Sequence, residues 1–218
     1  MRIFTHVPTQ LEHLPKITNQ NGDRVYQVGK LYYPSVTTVL SQHTRKGIQE
    51  WQERVGYEEA KKISSRAAAN GTRFHTHVEQ YLKNNQTLAM SLIEVERLSL
   101  FEPYLYKIDN IRAQEATLYS DHLRLAGTVD CIAEYDGKLS VIDFKTSARE
   151  KELAYVQHYF MQAAAYAIMF EERTGVPISN LVVLVSVADG LVQEFTSKRD
   201  KHVKDLLFYR DQYEAHNQ

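Results

Sequence analysis

A single cysteine, Cys131, stands in 218 residues. This rules out an internal disulfide, a zinc site built on cysteines, and an iron–sulfur cluster held by four thiolates of this chain. Proline and glycine are sparse, at 5 and 9, so collagen-like and low-complexity architectures are excluded as well. No apolar run approaches the roughly 18 residues that cross a bilayer. The opening segment, MRIFTHVPTQLEHLPK, lacks a signal-peptide core and does not read as an Arg/Ser-rich transit peptide. The expected setting is therefore cytoplasmic. Charge of one sign is also missing: the formal net charge is −1. Its distribution is uneven, at +4 over residues 1–70, −3 over 71–148 and −2 over 149–218. A basic front and an acidic middle suit a protein that grips a polyanion at one end and a cation in the middle, although ordinary surface carries such imbalances too.

With 43% hydrophobic and 24% charged residues, the chain reads as a globular single domain over 1–218, with a core of its own. An N-terminal hairpin and helical region (1–110) precedes a sheet core with flanking helices (111–218). Arg24–Val28 and Lys30–Tyr33 form a hairpin around Gly29. Pro34-Ser35-Val36-Thr37 starts a helix, with Ser35 or Thr37 as cap. Helical patterns continue from there, broken near Gly47 and Gly56, and Asn70-Gly71 reads as a stop. Thr72–Lys83 is helical, and a further helix over Ala89–Phe101 ends by Pro103. Strands are expected at Ile111–Tyr119, Leu125–Tyr135 and Lys138–Thr146, then a helix from about Glu152 to Arg173, strands at Leu181–Val187 and Leu191–Phe195, and a last helix over about Lys198–Glu214. The fold class is α/β, a small mixed β-sheet flanked by helices.

The chemistry concentrates in one hairpin. Asp136-Gly137 between two strand patterns signals a type I′ turn. Opposed residues then carry numbers that add to 273, so Asp130 faces Asp143, and Lys145 shares their face. The other face, Val129, Cys131, Ile142 and Phe144, reads as core. Two directly opposed carboxylates repel each other. Lys145 offsets part of that repulsion, and a divalent cation held by oxygen ligands, Mg²⁺ or Mn²⁺, would offset the rest. Phosphodiester cleavage needs this combination. Carboxylates hold the ion, the ion polarises the phosphate and acidifies a water, and a lysine orients that water. Read without a ligand, the same residues form a structural Asp–Lys–Asp cluster at a sheet end.

Gly127-Thr-Val-Asp130 followed by Ile142-Asp143-Phe144-Lys145-Thr146 resembles the signature of the PD-(D/E)xK nuclease superfamily, in its RecB-like exonuclease branch. Gly71-Thr-Arg-Phe-His75 resembles the upstream GxxxH helix of that branch, and Gln162-Ala-Ala-Ala-Tyr166 its downstream QxxxY helix. Pro34-Ser35-Val36-Thr37 is similar to the PSVT segment of phage exonucleases and mitochondrial genome maintenance exonucleases. The resemblance covers about residues 30–195. The lone cysteine places the chain among members without an iron–sulfur cluster, and the fold implied is the restriction-endonuclease-like core.

The resemblance implies metal ligands at His75, Asp130, Asp143 and the Phe144 carbonyl, and catalytic roles for Lys145, Asp130 and Asp143. His77 points about 200° away from His75 on a helix, so the two do not share an ion. Glu79, Glu115 and Thr146 stand behind the ligands. Ser35, Thr37, Arg45, Lys46, Arg73, Gln162 and Tyr166 are candidate nucleic-acid contacts; the bland alternatives are a helix cap, surface charge and a half-buried seam. The activity implied is that of a Mg²⁺- or Mn²⁺-dependent DNA exonuclease, using one or two ions and acting on single-stranded or free-ended DNA in replication, recombination or degradation. The alternatives are a structure-specific endonuclease and a non-catalytic nucleic-acid-binding module on the same fold.

Overall fold

The computed structural model describes residues 2–7, 9–19, 22–85 and 89–216. In chain order the elements are β1 (Lys16–Thr18), β2 (Arg24–Val28), β3 (Leu31–Pro34), α1 (Val36–Val55), α2 (Tyr57–Leu82), α3 (Leu92–Leu105), β4 (Ile108–Ser120), β5 (Leu125–Tyr135), β6 (Lys138–Ser147), α4 (Gln157–Thr174), β7 (Asn180–Val187), β8 (Val192–Lys198) and α5 (Asp200–His216). Strands β4 to β8 form one sheet in chain order, and β1 to β3 form a separate three-stranded sheet. Every pair in the larger sheet is antiparallel except β6–β7, which is parallel and connected through α4. This is the expected mixed sheet flanked by helices.

Helices cover both faces of the five-stranded sheet. Leu181, Val183, Val185 and Val187 of β7 pack on the side of α1, α4 and α5. Val182 and Leu184, one step out of phase, pack on the side of α2 and α3 with Phe74, Val78 and Phe101. A strand buried on both faces reads as a continuous apolar run. The small N-terminal sheet is fixed to the edge of the large one. Leu14, Tyr26 and Tyr33 pack around Ala126, Leu14 N–H donates to Thr117 Oγ1 at 3.0 Å, and Ser35 bridges to Ala126 of β5.

Several local stop signals are overridden. Ser35 is the N-cap of α1, accepting from Thr38 N–H at 3.0 Å, yet the helix runs unbroken through Gly47 to Val55. The chain turns only at Gly56, where φ is +92°. Helix α2 continues through Asn70-Gly71 rather than stopping there, because its apolar stripe, Phe74, Val78, Tyr81 and Leu82, is buried against the sheet. That burial exceeds the roughly 1 kcal/mol helix cost of a glycine. Helix α3 carries Pro103 in its last turn, where only the bond to Ser99 is lost before the helix ends at Leu105. The helix expected from Glu152 begins as a 3₁₀ turn, Leu153–Val156, and becomes α-helical at Gln157. Strand β1 lies where the sequence pattern predicts no strand.

Two glycines give a direct check on this backbone. Gly47 has helical geometry and open space where a Cβ would stand. Gly47→Ala should therefore raise stability by about 0.5–1 kcal/mol, or about 1–4 °C in Tm. Gly56→Ala should lower it by about 1–3 kcal/mol, because φ +92° lies outside alanine's allowed regions. Thermal unfolding of the two variants checks both; a fall in Tm for Gly47→Ala would mean that α1 breaks there.

Candidate active site

The site lies where β5 and β6 part. Asp136 and Gly137 adopt φ of +47° and +73°, the positive angles that a type I′ turn requires. The predicted register then runs from Tyr135↔Lys138 to Cys131↔Ile142. The pairing stops there, one residue short of Asp130 and Asp143. Beyond that point β5 stays with β4 and β6 stays with β7. Asp130 enters the gap, and its Oδ2 accepts the Phe144 N–H at 2.8 Å. Asp143 and Lys145 keep the expected alternation, and Lys145 Nζ donates to Asp143 Oδ1 at 2.5 Å.

The face expected to hold Val129 with Cys131, Ile142 and Phe144 is split. The last three join the core under α2 and α3. Val129 joins the opposite core, together with Ile132. Strand β4 loses its alternation at the same place: Ala113 and Ala116, three residues apart, both lie on that opposite side, and they pair in one register with Ile132 and Val129. Between them Glu115 has φ +45°, an uncommon conformation for this residue type and a mark of local strain. The shared break in alternation frees Glu115 and Asp130 from the regular faces.

His75 comes to the same point from α2. Its Nδ1 is 3.5 Å from Asp130 Oδ1 and 3.9 Å from Glu115 Oε1. One donor atom from each of His75, Glu115 and Asp130 lies within 4.8 Å of the other two. Glu115, expected only behind the ligands, therefore stands among the donors. Burial alone would lower the His75 pKa, but hydrogen bonds to Asp130 and Glu115 raise it to about 10. Burial pushes Asp143 up to about 6, with the Asp130 charge adding to it against Lys145. Burial works the same way on Asp130, but His75, Lys145 and the Phe144 N–H hold its pKa below the usual carboxylate value. Partial burial works against the Lys145 charge, yet Asp143 and Asp130 keep its pKa above that of a free lysine. The Tyr159 ring lies 5.1 Å from its Nζ. Asp143 Oδ2 is buried with no hydrogen-bond partner.

His75, Glu115, Asp130 and Lys145 open into a cavity of about 440 Å³, lined also by Ser35, Thr37, Gly71, Glu79, Gln162 and Tyr166. Ser35 Oγ contacts Thr37 Oγ1 at 3.0 Å. Glu79 pairs with Lys83 at 2.5 Å. Thr146 Oγ1 approaches Gly71, 3.6 Å from where a Cβ would stand. Phe144 contributes its N–H to Asp130, and its side chain is core. Asp143, Phe144 and Thr146 stand behind the lining, and three of the candidate nucleic-acid contacts lie outside it. Arg45 and Lys46 are exposed on α1, with Lys46 3.9 Å from Glu50, and Arg73 turns to Asn70 and Glu94. Sequence reasoning missed Lys16, Arg24 and Tyr26, which line the cavity from the N-terminal sheet.

Gly127 is fixed by close approach. A Cβ there would lie 2.7 Å from Tyr166 Cε1 and 2.8 Å from its hydroxyl oxygen. Gly127→Ala should cost about 1–3 kcal/mol by overpacking. In a Tyr166→Ala background the same substitution should cost much less, and urea unfolding of the four proteins measures this coupling. Equal costs in both backgrounds would place the strain elsewhere.

Residues 35–207 match the PD-(D/E)XK nuclease superfamily. Mitochondrial genome maintenance exonuclease 1 of Homo sapiens is 31% identical over 173 residues, which cover 72% of this chain and 50% of the human protein. Its Mus musculus counterpart is 27% identical over 172 residues, with the same shares covered. The Xenopus tropicalis protein is 29% identical over 177 residues, covering 72% and 49%. The chain spans about half the length of these relatives. The matched stretch runs from α1 into the first half of α5, with His75, Glu115, Asp130, Asp143, Lys145, Gln162 and Tyr166, and the chain belongs to the PD-(D/E)XK nuclease superfamily.

Proposed function

We propose that this chain is a divalent-metal-dependent DNA exonuclease that hydrolyses phosphodiester bonds from the ends of single strands. A role in replication, recombination or degradation of DNA, in a cytoplasm, fits that activity. One observation carries the reading: in a chain of this superfamily, the His75–Glu115–Asp130 donor set shares a cleft with Lys145, whose ammonium is paired with the buried Asp143. The exonuclease relatives support the choice among nuclease activities.

The residues suit a hard or borderline cation. Two carboxylates and one imidazole converge, and the unpartnered Asp143 Oδ2 adds a further buried acceptor. Mg²⁺ and Mn²⁺ take such oxygen-rich sets. When bound, the ion would supply Lewis-acid polarisation of the phosphoryl oxygen and neutralise developing charge. Lys145, kept protonated by Asp143 and Asp130, presents N–H donors to a phosphate oxygen or to the attacking water. Asp143 and the Tyr159 ring hold its ammonium in place. Asp130 bonds both to Phe144 and to His75, so the spacing between β6 and α2 is set by one carboxylate.

Cleavage tests the activity. End-labelled linear single-stranded DNA should be shortened in Mg²⁺ or Mn²⁺ and not in EDTA, while the circularised strand stays intact. Cutting of the circle would replace the exonuclease with an endonuclease, and no cutting of either would leave a binding module. Asp143→Asn and Lys145→Ala should each lower kcat by about 10²–10³-fold. The charge-balanced Asp143→Asn/Lys145→Gln variant guards against loss of fold, and full activity in it would overturn the assignment.

Metal binding gives a separate readout. With its pKa near 10, metal-free His75 is protonated at pH 7.5 and must lose that proton to become a ligand. Mn²⁺ binding should therefore release about one proton per ion and tighten as pH rises towards 10. Calorimetry in buffers of different ionisation enthalpy measures the release. Glu115→Gln should weaken Mn²⁺ at least about tenfold. Binding with no proton release, and insensitive to Glu115→Gln, would move the ligand set elsewhere.

A further inference from the structure

The N-terminal sheet lies outside the family-matching residues 35–207, yet it builds one wall of the cavity. Lys16 is paired with Tyr26, and Arg24 stands two residues from Tyr26 on the same strand. Side chains alternate along a strand, so Lys16, Arg24 and Tyr26 share one face. That face is aimed by a buried anchor: the Tyr26 side chain is 1% exposed, and its hydroxyl shares a 3.0 Å hydrogen bond with Thr128 Oγ1, two residues from Asp130. Among the described residues neither cation makes an ion pair; Lys16 Nζ sits 6.0 Å from the Tyr26 ring centre, and the Arg24 guanidinium has no partner. The acidic groups of the cavity, Glu79, Glu115 and Asp130, stand with His75 and belong to α2, β4 and β5. One cavity thus has a wall of donors for a cation and a second wall of two unpaired cations.

We propose that Lys16 and Arg24 form a phosphate clamp that holds a backbone phosphodiester of the substrate strand neighbouring the one under attack. The clamp rests on the nuclease reading above and adds a substrate-positioning site from a part of the chain the family match does not cover. A strand held at both walls is fixed in register, which raises the effective concentration of the scissile bond at the acidic cluster.

The test is fluorescence anisotropy with a single-stranded oligonucleotide lacking terminal phosphates, in EDTA, over a series of salt concentrations. Each phosphate contact on a single strand contributes about 0.7 to the slope of log K against log salt. Lys16→Ala/Arg24→Ala removes the hold on that one phosphate and should lower the slope by about 0.7 and weaken binding on the order of tenfold at low salt. Lys16→Arg should keep the wild-type slope, as should Lys204→Ala, an exposed lysine on α5. Wild-type slope and affinity in the double variant would overturn the clamp while leaving the nuclease reading intact. An equal loss in Lys204→Ala would also overturn it, by showing a diffuse charge effect. Failure of the wild-type protein to bind the strand at all would overturn the clamp together with the nucleic-acid reading beneath it.

Discussion

The hydrogen bond from Phe144 N–H to Asp130 Oδ2 is the contact on which the site depends. An antiparallel ladder that continued past Cys131↔Ile142 would close the sheet with backbone bonds and leave no room for a ligand. Parting two strands leaves backbone donors to satisfy, and a buried donor without a partner costs about 1–3 kcal/mol. Asp130 answers that demand with a side chain in place of a carbonyl. Neither strand is left unsupported, since β5 remains paired to β4 as far as Leu125↔Ser120 and β6 remains paired to β7 as far as Ser147↔Val187. The fork is thus a local exchange of one partner within a sheet that is otherwise intact.

That exchange concentrates charge. Glu115, Asp130 and Asp143 are gathered against two cations, His75 and Lys145. Burial opposes ionisation of both aspartates, and the cluster relieves part of the repulsion by protonating His75. A metal ion held at Nδ1, as proposed above, would compete with that proton for the same electrons. Positive φ at Glu115 adds strain of about 1–3 kcal/mol. Asp143 Oδ2 remains buried and unpartnered. Strain and unsatisfied acceptors at one point, in an otherwise regular sheet, are the pattern of a site built for an occupant rather than for stability.

Much of this was legible in the residues. Asp136-Gly137 demands positive φ twice, so the turn and its register could be counted outward, and the common face of Asp143 and Lys145 came with it. The count stopped applying past Cys131↔Ile142, where β5 and β6 part and the alternation of β4 and β5 breaks. Nothing in the type of residue at Glu115 announces positive φ; the surrounding packing imposes it, so the place of Glu115 beside His75 and Asp130 was not visible. Asn70-Gly71 failed as a stop for a related reason. Stop signals are local preferences of about 1 kcal/mol, whereas Phe74, Val78 and Leu82 are each nearly or fully buried beneath the sheet. Strand β1, three residues long and exposed throughout, offers no periodicity to read and is defined only by its pairing with β2.

Net charge along the chain foreshadowed a basic front and an acidic middle, but counting did not identify the residues concerned. Arg45, Lys46 and Arg73, which look like phosphate contacts by position near the family motifs, are turned elsewhere or lie outside the cavity. Lys16 and Arg24, in a stretch with no motif, line it. The difference lies in how each residue is held. An arginine on an exposed helix turns with that helix, and the polar contacts of Arg73 are set by its neighbours on α2 and α3. Lys16 and Arg24 are tied by strand register to Tyr26, and Tyr26 is tied to Thr128 inside the hairpin that carries Asp130. Charge placed by a chain of backbone pairings ending in a buried hydroxyl is positioned relative to the acidic cluster. Charge placed by sequence proximity alone is not, and for that reason the N-terminal sheet, not the basic stretch of α1, completes the cavity.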